Sequence, residues 1–112
     1  MVEWKEVAGR RCLYFTFRDR LTRDGADRMI DLWREAASTT SEASTLVWNC
    51  LAMKSYEPDA RVRWQEAIEE LKPGIGDVWV ISTSSVVSVG VGFLAAFTSK
   101  EITMVASEAE MS

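Results

Sequence analysis

Any chemistry in this chain has to be carried without an imidazole. Its 112 residues hold 17 carboxylate side chains, 13 lysines and arginines, two cysteines and no histidine, and histidine is the commonest general acid or base near neutral pH. Cys12 and Cys50 lie in apolar strand-like runs with no CxxC spacing. They read as buried free thiols suited to a reducing compartment, not as metal ligands. Two carboxylate clusters have helical spacing: Asp24, Asp27 and Asp31, then Glu66, Glu69 and Glu70. Arginines interleave with both, which marks solvated helix faces held by charge pairs three or four residues apart. Gly74-Ile75-Gly76 is too short to cradle a phosphate and joins a helix to a strand, the reverse of a phosphate-binding loop. A nucleophile at Cys50 or Ser55 would need a lysine or a helix terminus to activate it, and nothing in the sequence places one suitably. The expectation is a binding protein that is not an enzyme and needs no cofactor or metal.

The elements that would position a binding surface follow from periodicity. Val2 to Val7 alternates apolar and polar, Ala8-Gly9-Arg10 offers a turn, and Arg11 to Arg18 alternates again with Leu13, Phe15 and Phe17 on one face, which predicts a hairpin. Thr22 can cap a helix from Arg23 to Ala37, where Ala26, Met29, Ile30, Trp33 and Ala37 recur at helical spacing. Ser38 to Ser44 is a polar loop. Thr45 to Ala52 is apolar with little alternation, as in a central strand covered on both faces. Glu57-Pro58-Asp59 opens a second helix with a proline and carboxylates in its first turn. Its core face is Ala60 or Arg61, Trp64, Ala67, Ile68 and Leu71, and Lys72-Pro73-Gly74 stops it.

Asp77 to Ser82 and Lys100 to Ala106 are two further strands. Between them Val87, Val89, Val91 and Phe93 alternate with Ser88, Gly90 and Gly92 like a strand, whereas Val86, Gly90, Phe93, Leu94 and Phe97 recur like a helix. Helix is chosen because two parallel strands need a crossover, although glycine and β-branched residues weaken helices. A helix there would carry a second apolar stripe, Val87, Val91 and Ala95, which points to self-association into a homo-oligomer or to a partner protein. Trp4, on an edge strand, is the tryptophan expected nearest a ligand or partner.

The net charge of −4 opposes nucleic-acid binding, which needs a basic surface. The N-terminus has no apolar run behind its charges, so no leader peptide is expected. The longest apolar stretch, Val86 to Phe97, is broken by Ser88, Gly90 and Gly92 and falls short of the roughly 20 residues that span a bilayer, so a cytoplasmic protein with no membrane span is expected.

The order β-β-α-β-α-β-α-β, an α/β mixed sheet of about five strands with helices packed against it, resembles the STAS domain, and within it the SpoIIAA-like branch of anti-sigma factor antagonists. Three stretches carry the resemblance: Leu13-Tyr14-Phe15-Thr16-Phe17 through Leu21-Thr22, Leu46-Val47-Trp48-Asn49 through Tyr56-Glu57-Pro58-Asp59-Ala60, and Val78-Trp79-Val80-Ile81 with the apolar helix and Ile102-Thr103-Met104-Val105. It covers residues 1–112 as one domain, with the family's last helix cut to about one turn at Ser107 to Ser112. The resemblance implies a bacterial regulatory module that contacts a protein partner, an anti-sigma or kinase-like regulator, at the start of the second helix. There the antagonists carry a phosphorylated serine in Asp-Ser-Ser-Gly or Asp-Ser-Thr-Gly. This chain has Lys54-Ser55-Tyr56-Glu57-Pro58-Asp59 instead, so Ser55, Tyr56, Glu57 and Asp59 are the partner-binding candidates, and Glu57 and Asp59 would oppose a phosphate. The alternative from another class is a carrier of a small apolar, lipid-like ligand, lodged between the sheet and the glycine-containing last helix.

Overall fold

Two left-handed residues set the first turn. In a computed structural model, which describes residues 1–96 and 101–111, Ala8 (φ 53°) and Gly9 (φ 77°) join β1 (Val2–Val7) to β2 (Arg10–Leu21). Val7 pairs with Arg10 in antiparallel register, so the loop has two residues with positive φ, the geometry that matches strand twist. Helix α1 (Arg23–Ala37) follows, and the Thr22 hydroxyl accepts from the Gly25 amide at 3.0 Å, the N-cap expected from the sequence. Next come β3 (Ser44–Tyr56), α2 (Pro58–Leu71), a 3-10 turn at Lys72–Gly74, β4 (Ile75–Ile81), α3 (Ser85–Ala96) and β5 (Ile102–Val105).

The expected order of elements is therefore present, with segment 86–97 helical as far as Ala96. Phe97 and Lys100 of the expected elements lie outside the described residues. The five strands stand in the order β1-β2-β3-β4-β5, antiparallel at β1/β2 and parallel at each later pair. Three parallel crossovers that all step in the same direction, each right-handed, must place all three helices on one face of the sheet. The buried residues agree. Leu13, Phe15, Phe17, Leu46, Trp48, Val78 and Val80 of the sheet form one core with Ala26, Met29, Ile30 and Trp33 of α1, Ala60, Trp64, Ala67 and Ile68 of α2, and Val87 and Leu94 of α3. Phe15 is its centre, with Trp33 and Trp64 edge-on to its ring at centroid distances of 5.4 and 5.7 Å. This face is dominated by aromatic rings, whose edge-to-face contacts add to their area burial.

Among the described residues, the opposite face of the sheet receives no α-helix. A smaller core forms there from Val7, Cys12, Tyr14, Val47 and Ile81, and it is closed by Met111, 2% exposed, from the C-terminal segment. That segment turns at Glu108–Glu110, where Ser107 and Glu110 form a capping box. Glu110 Oε2 accepts the Ala106 and Ser107 amides at 2.6 and 3.0 Å. This 3-10 turn follows the last strand and holds an apolar plug against the sheet. Leu51, 53% exposed, remains open on this face. No helix among the described residues is long and apolar enough to cross a membrane.

Candidate functional site

The long strands β2 and β3 carry the candidate residues past the edge of their neighbours. Register shifts between Thr16 and Arg18 and between Asp19 and Arg20, with Asp19 at φ 52°, bend β2 yet let it stay paired to its end, as β-bulges do. Arg20 then stands opposite Ser55 and Leu21 opposite Tyr56. Residues 53–56, beyond the end of the strand expected at Ala52, are strand for this reason: β3 extends because β2 does. Ser55 therefore sits on the strand, ahead of the second helix, and caps no helix. Its hydroxyl accepts from Arg20 Nη1 at 3.2 Å on an exposed surface.

Glu57 is the N-cap of α2, but its carboxylate makes no bond within that helix. Instead Oε1 accepts the Arg23 amide at 2.8 Å, at the first turn of α1, while the Glu57 amide donates to the Leu21 carbonyl at 2.9 Å. One residue thus fastens the starts of both helices, placing a negative charge where the α1 dipole is positive. Asp59 is exposed in the first turn of α2. Tyr56 is half-buried and turns toward α3: a Cβ built on Gly90 would lie 3.0 Å from the Tyr56 ring. Only glycine lets the helix approach that ring without displacing it. The four partner-binding candidates are thus brought together at one edge of the molecule, with Ser55 and Asp59 reachable and Glu57 committed to the fold.

The expected self-association stripe is placed differently. Val87 is 2% exposed and packs in the main core, Val91 is half-buried, and Ala95 is exposed. Val86 and Val89, at 45% and 58%, face outward instead. Val87, Gly90 and Leu94 face inward, with Gly90 close against the Tyr56 ring. Trp4, the expected ligand neighbour, is half-buried against the main core with the Arg11 guanidinium 4.6 Å over its ring.

Beside Tyr56, between the sheet, α2 and α3, is an apolar cavity of about 60 Å³. Phe17, Trp48, Cys50, Met53, Trp64, Val87 and Leu94 line it as buried residues, and Leu21, Tyr56, Arg61 and Val91 are half-buried at its rim. Burial pushes the Cys50 thiol up to about 12, so it is protonated and a poor nucleophile at neutral pH. Cys12 is a buried free thiol too, also raised by burial.

Arginines tie several of the clustered carboxylates, both between the two helices and within one. Arg34 donates to Glu70 at 2.6 Å and to Asp31 at 2.9 Å, and Arg63 donates to Asp27 at 2.8 Å. The Arg34 bonds hold the Glu70 carboxyl below its ordinary value. No group of three or more His, Cys, Asp or Glu side chains that could hold a metal occurs among the described residues.

Sequence reasoning missed two polar clusters on the face of the sheet opposite α1, α2 and α3. Tyr14 donates to Glu108 and accepts from Asn49 Nδ2 at 2.9 Å, with Lys5 4.3 Å from the Tyr14 ring and 3.6 Å from Glu108. Burial, then the Glu108 bond, pushes the Tyr14 hydroxyl up to about 12. Asp77 accepts from Thr45 at 2.6 Å, Trp79 Nε1 at 2.9 Å and Arg10 at 3.5 Å. Burial works to raise its carboxyl, but these donors outweigh it and hold the group below its usual value. The alternation of Cys12, Tyr14 and Thr16 marked this face as the second side of β2, and the Ser107-x-x-Glu110 pattern marked the turn.

No family model matches this chain, and no curated protein matches it. Among solved structures it is similar to the crystal structure of a DUF3478-family protein with a SpoIIAA-like fold from Shewanella loihica PV-4: TM-score 0.81, 12% sequence identity, covering 98% of this chain and 88% of that one. The chain has a SpoIIAA-like fold.

Proposed function

We propose that this chain is a regulatory, non-enzymatic module that works by contact with a protein partner, in the manner of anti-sigma factor antagonists, through the edge formed by Ser55, Tyr56 and Asp59. The observation that carries this reading is the Arg20 to Ser55 hydrogen bond of 3.2 Å on an exposed surface. It sets a modifiable hydroxyl beside a guanidinium, at an edge where two helices begin. A phosphate on Ser55 would meet Arg20 at once, and arginine pairs with phosphate through charge-assisted bonds. The Glu57 charge, which would oppose that phosphate, is engaged by the Arg23 amide. In this reading the partner is an anti-sigma or kinase-like regulator in a bacterial cytoplasm. Self-association uses the outward stripe Val86 and Val89, so Val89→Glu is expected to shift the mass in solution to that of a monomer. The partner experiment is capture by wild-type and Ser55→Asp baits: a partner held by the first and lost by the second supports the reading, and equal capture contradicts it.

A second reading, carriage of a small apolar ligand, is favoured by the cavity between the sheet, α2 and α3. Its buried walls are almost entirely apolar, as in sites for hydrophobic small molecules.

A further inference from the structure

The sheet ends in two unlike edges. β1 carries Glu3, Lys5 and Glu6, charges of the kind that keep an edge strand from pairing with another chain. β5, at the other end, is Ile102-Thr103-Met104-Val105, uncharged and without proline or a register shift, and none of its four residues is buried. The sequence carries no charge from Val78 to Ser99, so α3, the crossover into β5, brings none to this edge. Hydrogen-bond parity identifies the open groups. The Glu101 carbonyl accepts from the Val78 amide at 3.2 Å and the Val105 carbonyl from the Ser82 amide at 2.9 Å. The odd-numbered residues of β5 thus turn their backbone groups toward β4, and the alternation along a strand aims those of Ile102 and Met104 outward. On that side β5 has no neighbouring strand among the described residues. The next amide of the same parity, Ala106, is taken by Glu110 Oε2 at 2.6 Å, which confines the open edge to Ile102 and Met104, one on either side of Thr103.

Resting on the self-association reading, we propose that the β5 edge takes a second copy of this chain, β5 against β5, antiparallel about a two-fold axis at Thr103. The edge complements itself in that register. Ile102 of one copy stands opposite Met104 of the other, and each N–H meets the other's carbonyl, as in a hydrogen-bonded antiparallel pair. Thr103 faces Thr103 of the second copy across the axis, a favourable cross-strand pair. No like charges are opposed, and a register shifted toward the C-terminus would run into the amide that Glu110 already holds. The two-fold axis stands perpendicular to the joined sheet, so the helices of both copies lie on one face, with the uncharged α3 of each beside the join. Val86 and Val89 then add apolar area to a contact whose register the strands set. The pairing closes with two copies, because the edges left over are the charged β1 strands.

The test is sedimentation of the full chain across a concentration series, wild type against Met104→Pro, with amide hydrogen exchange at Ile102 and Met104. Proline is tolerated on an edge strand where its missing N–H faces outward, so Met104→Pro removes the donor to the second copy and keeps the ladder to β4. Wild type is expected at twice the mass of one chain, with the Ile102 and Met104 amides slow to exchange in the dimer and fast after dilution to the monomer. Met104→Pro is expected to dimerise at least about tenfold more weakly, because symmetry repeats the lost hydrogen bond in each copy. A Met104→Pro protein that dimerises as tightly as wild type, or amides that exchange freely within the wild-type dimer, would overturn the edge pairing while self-association through Val86 and Val89 stands. A wild type that stays monomeric at every concentration takes the self-association reading down with it. Should Met104→Pro fail to fold, exchange at the two amides of wild type, above and below the dissociation concentration, decides alone.

Discussion

Replacing Glu57 by alanine separates a structural residue from a binding one. Its carboxylate supplies the 2.8 Å bond to the Arg23 amide, one of the donors at the start of α1 that the helix itself cannot satisfy. Losing a side-chain cap costs about 0.5–2 kcal/mol, and a carboxylate at an exposed helix start adds about 0.3–1 kcal/mol through the dipole. The bond is exposed and Thr22 already serves the Gly25 amide, so the lower half of that range applies, ~1 kcal/mol. For a domain of this size that lowers the melting temperature by about 4 °C. Glu57→Gln keeps an acceptor oxygen and loses the charge, so it is expected to lose about half as much. Thermal unfolding followed by circular dichroism reads both, and hydrogen exchange at the Arg23 amide reads the local effect. A Glu57→Ala protein that melts within one degree of wild type, with the Arg23 amide no faster to exchange, would refute the fastening role and return Glu57 to the list of free contact residues.

Three further outcomes are expected. Ala8 occupies a left-handed position next to Gly9, so Ala8→Asn, which supplies the preferred Asn-Gly pair, should stabilise the chain by ~1 kcal/mol in denaturant melts, and a loss of stability would contradict the turn geometry. Met111→Ala removes a buried side chain from the C-terminal turn. It should cost ~2 kcal/mol, the low end for such a change because the segment can fray locally, and an unchanged unfolding midpoint would mean the plug adds nothing. Tyr14, raised from 10.0 to about 12, ionises more readily when unfolded, so its contribution is intact below pH ~10 and lost as pH rises through its folded value. Absorbance titration and high-pH melts should show this component vanish in Tyr14→Phe, and an identical pH dependence would contradict it.

Much of the fold could be read from residue periodicity, because alternation in β1 and β2 and the 3.6-residue spacing in α1 and α2 report the burial that forms them. The α3 segment had mixed periodicity, and the need for a crossover identified it as a helix. Which side of α3 faces the sheet was not legible. Val86, Val87 and Val89 are equally apolar, and the choice rests on Gly90 meeting Tyr56, a contact between residues 34 apart in sequence. The proximity of Ser55, Tyr56, Glu57 and Asp59 was legible because they are sequence neighbours. That Ser55 lies on a strand beside Arg20, and that Glu57 caps the other helix, depends on the bulged pairing of β2 with β3, for which the sequence carried no signal. The cavity is formed where side chains of β2, β3, α2 and α3 meet, which hydropathy does not encode.

The most direct test of the proposed role is capture of interacting proteins from the source cell, comparing wild type with Ser55→Asp, alongside the melting temperature of each bait. The account predicts a partner that binds wild type and is lost from Ser55→Asp, with melting shifted by no more than about two degrees, as for an ordinary surface substitution. Identical capture by both baits, or loss of binding only together with loss of the fold, would contradict it.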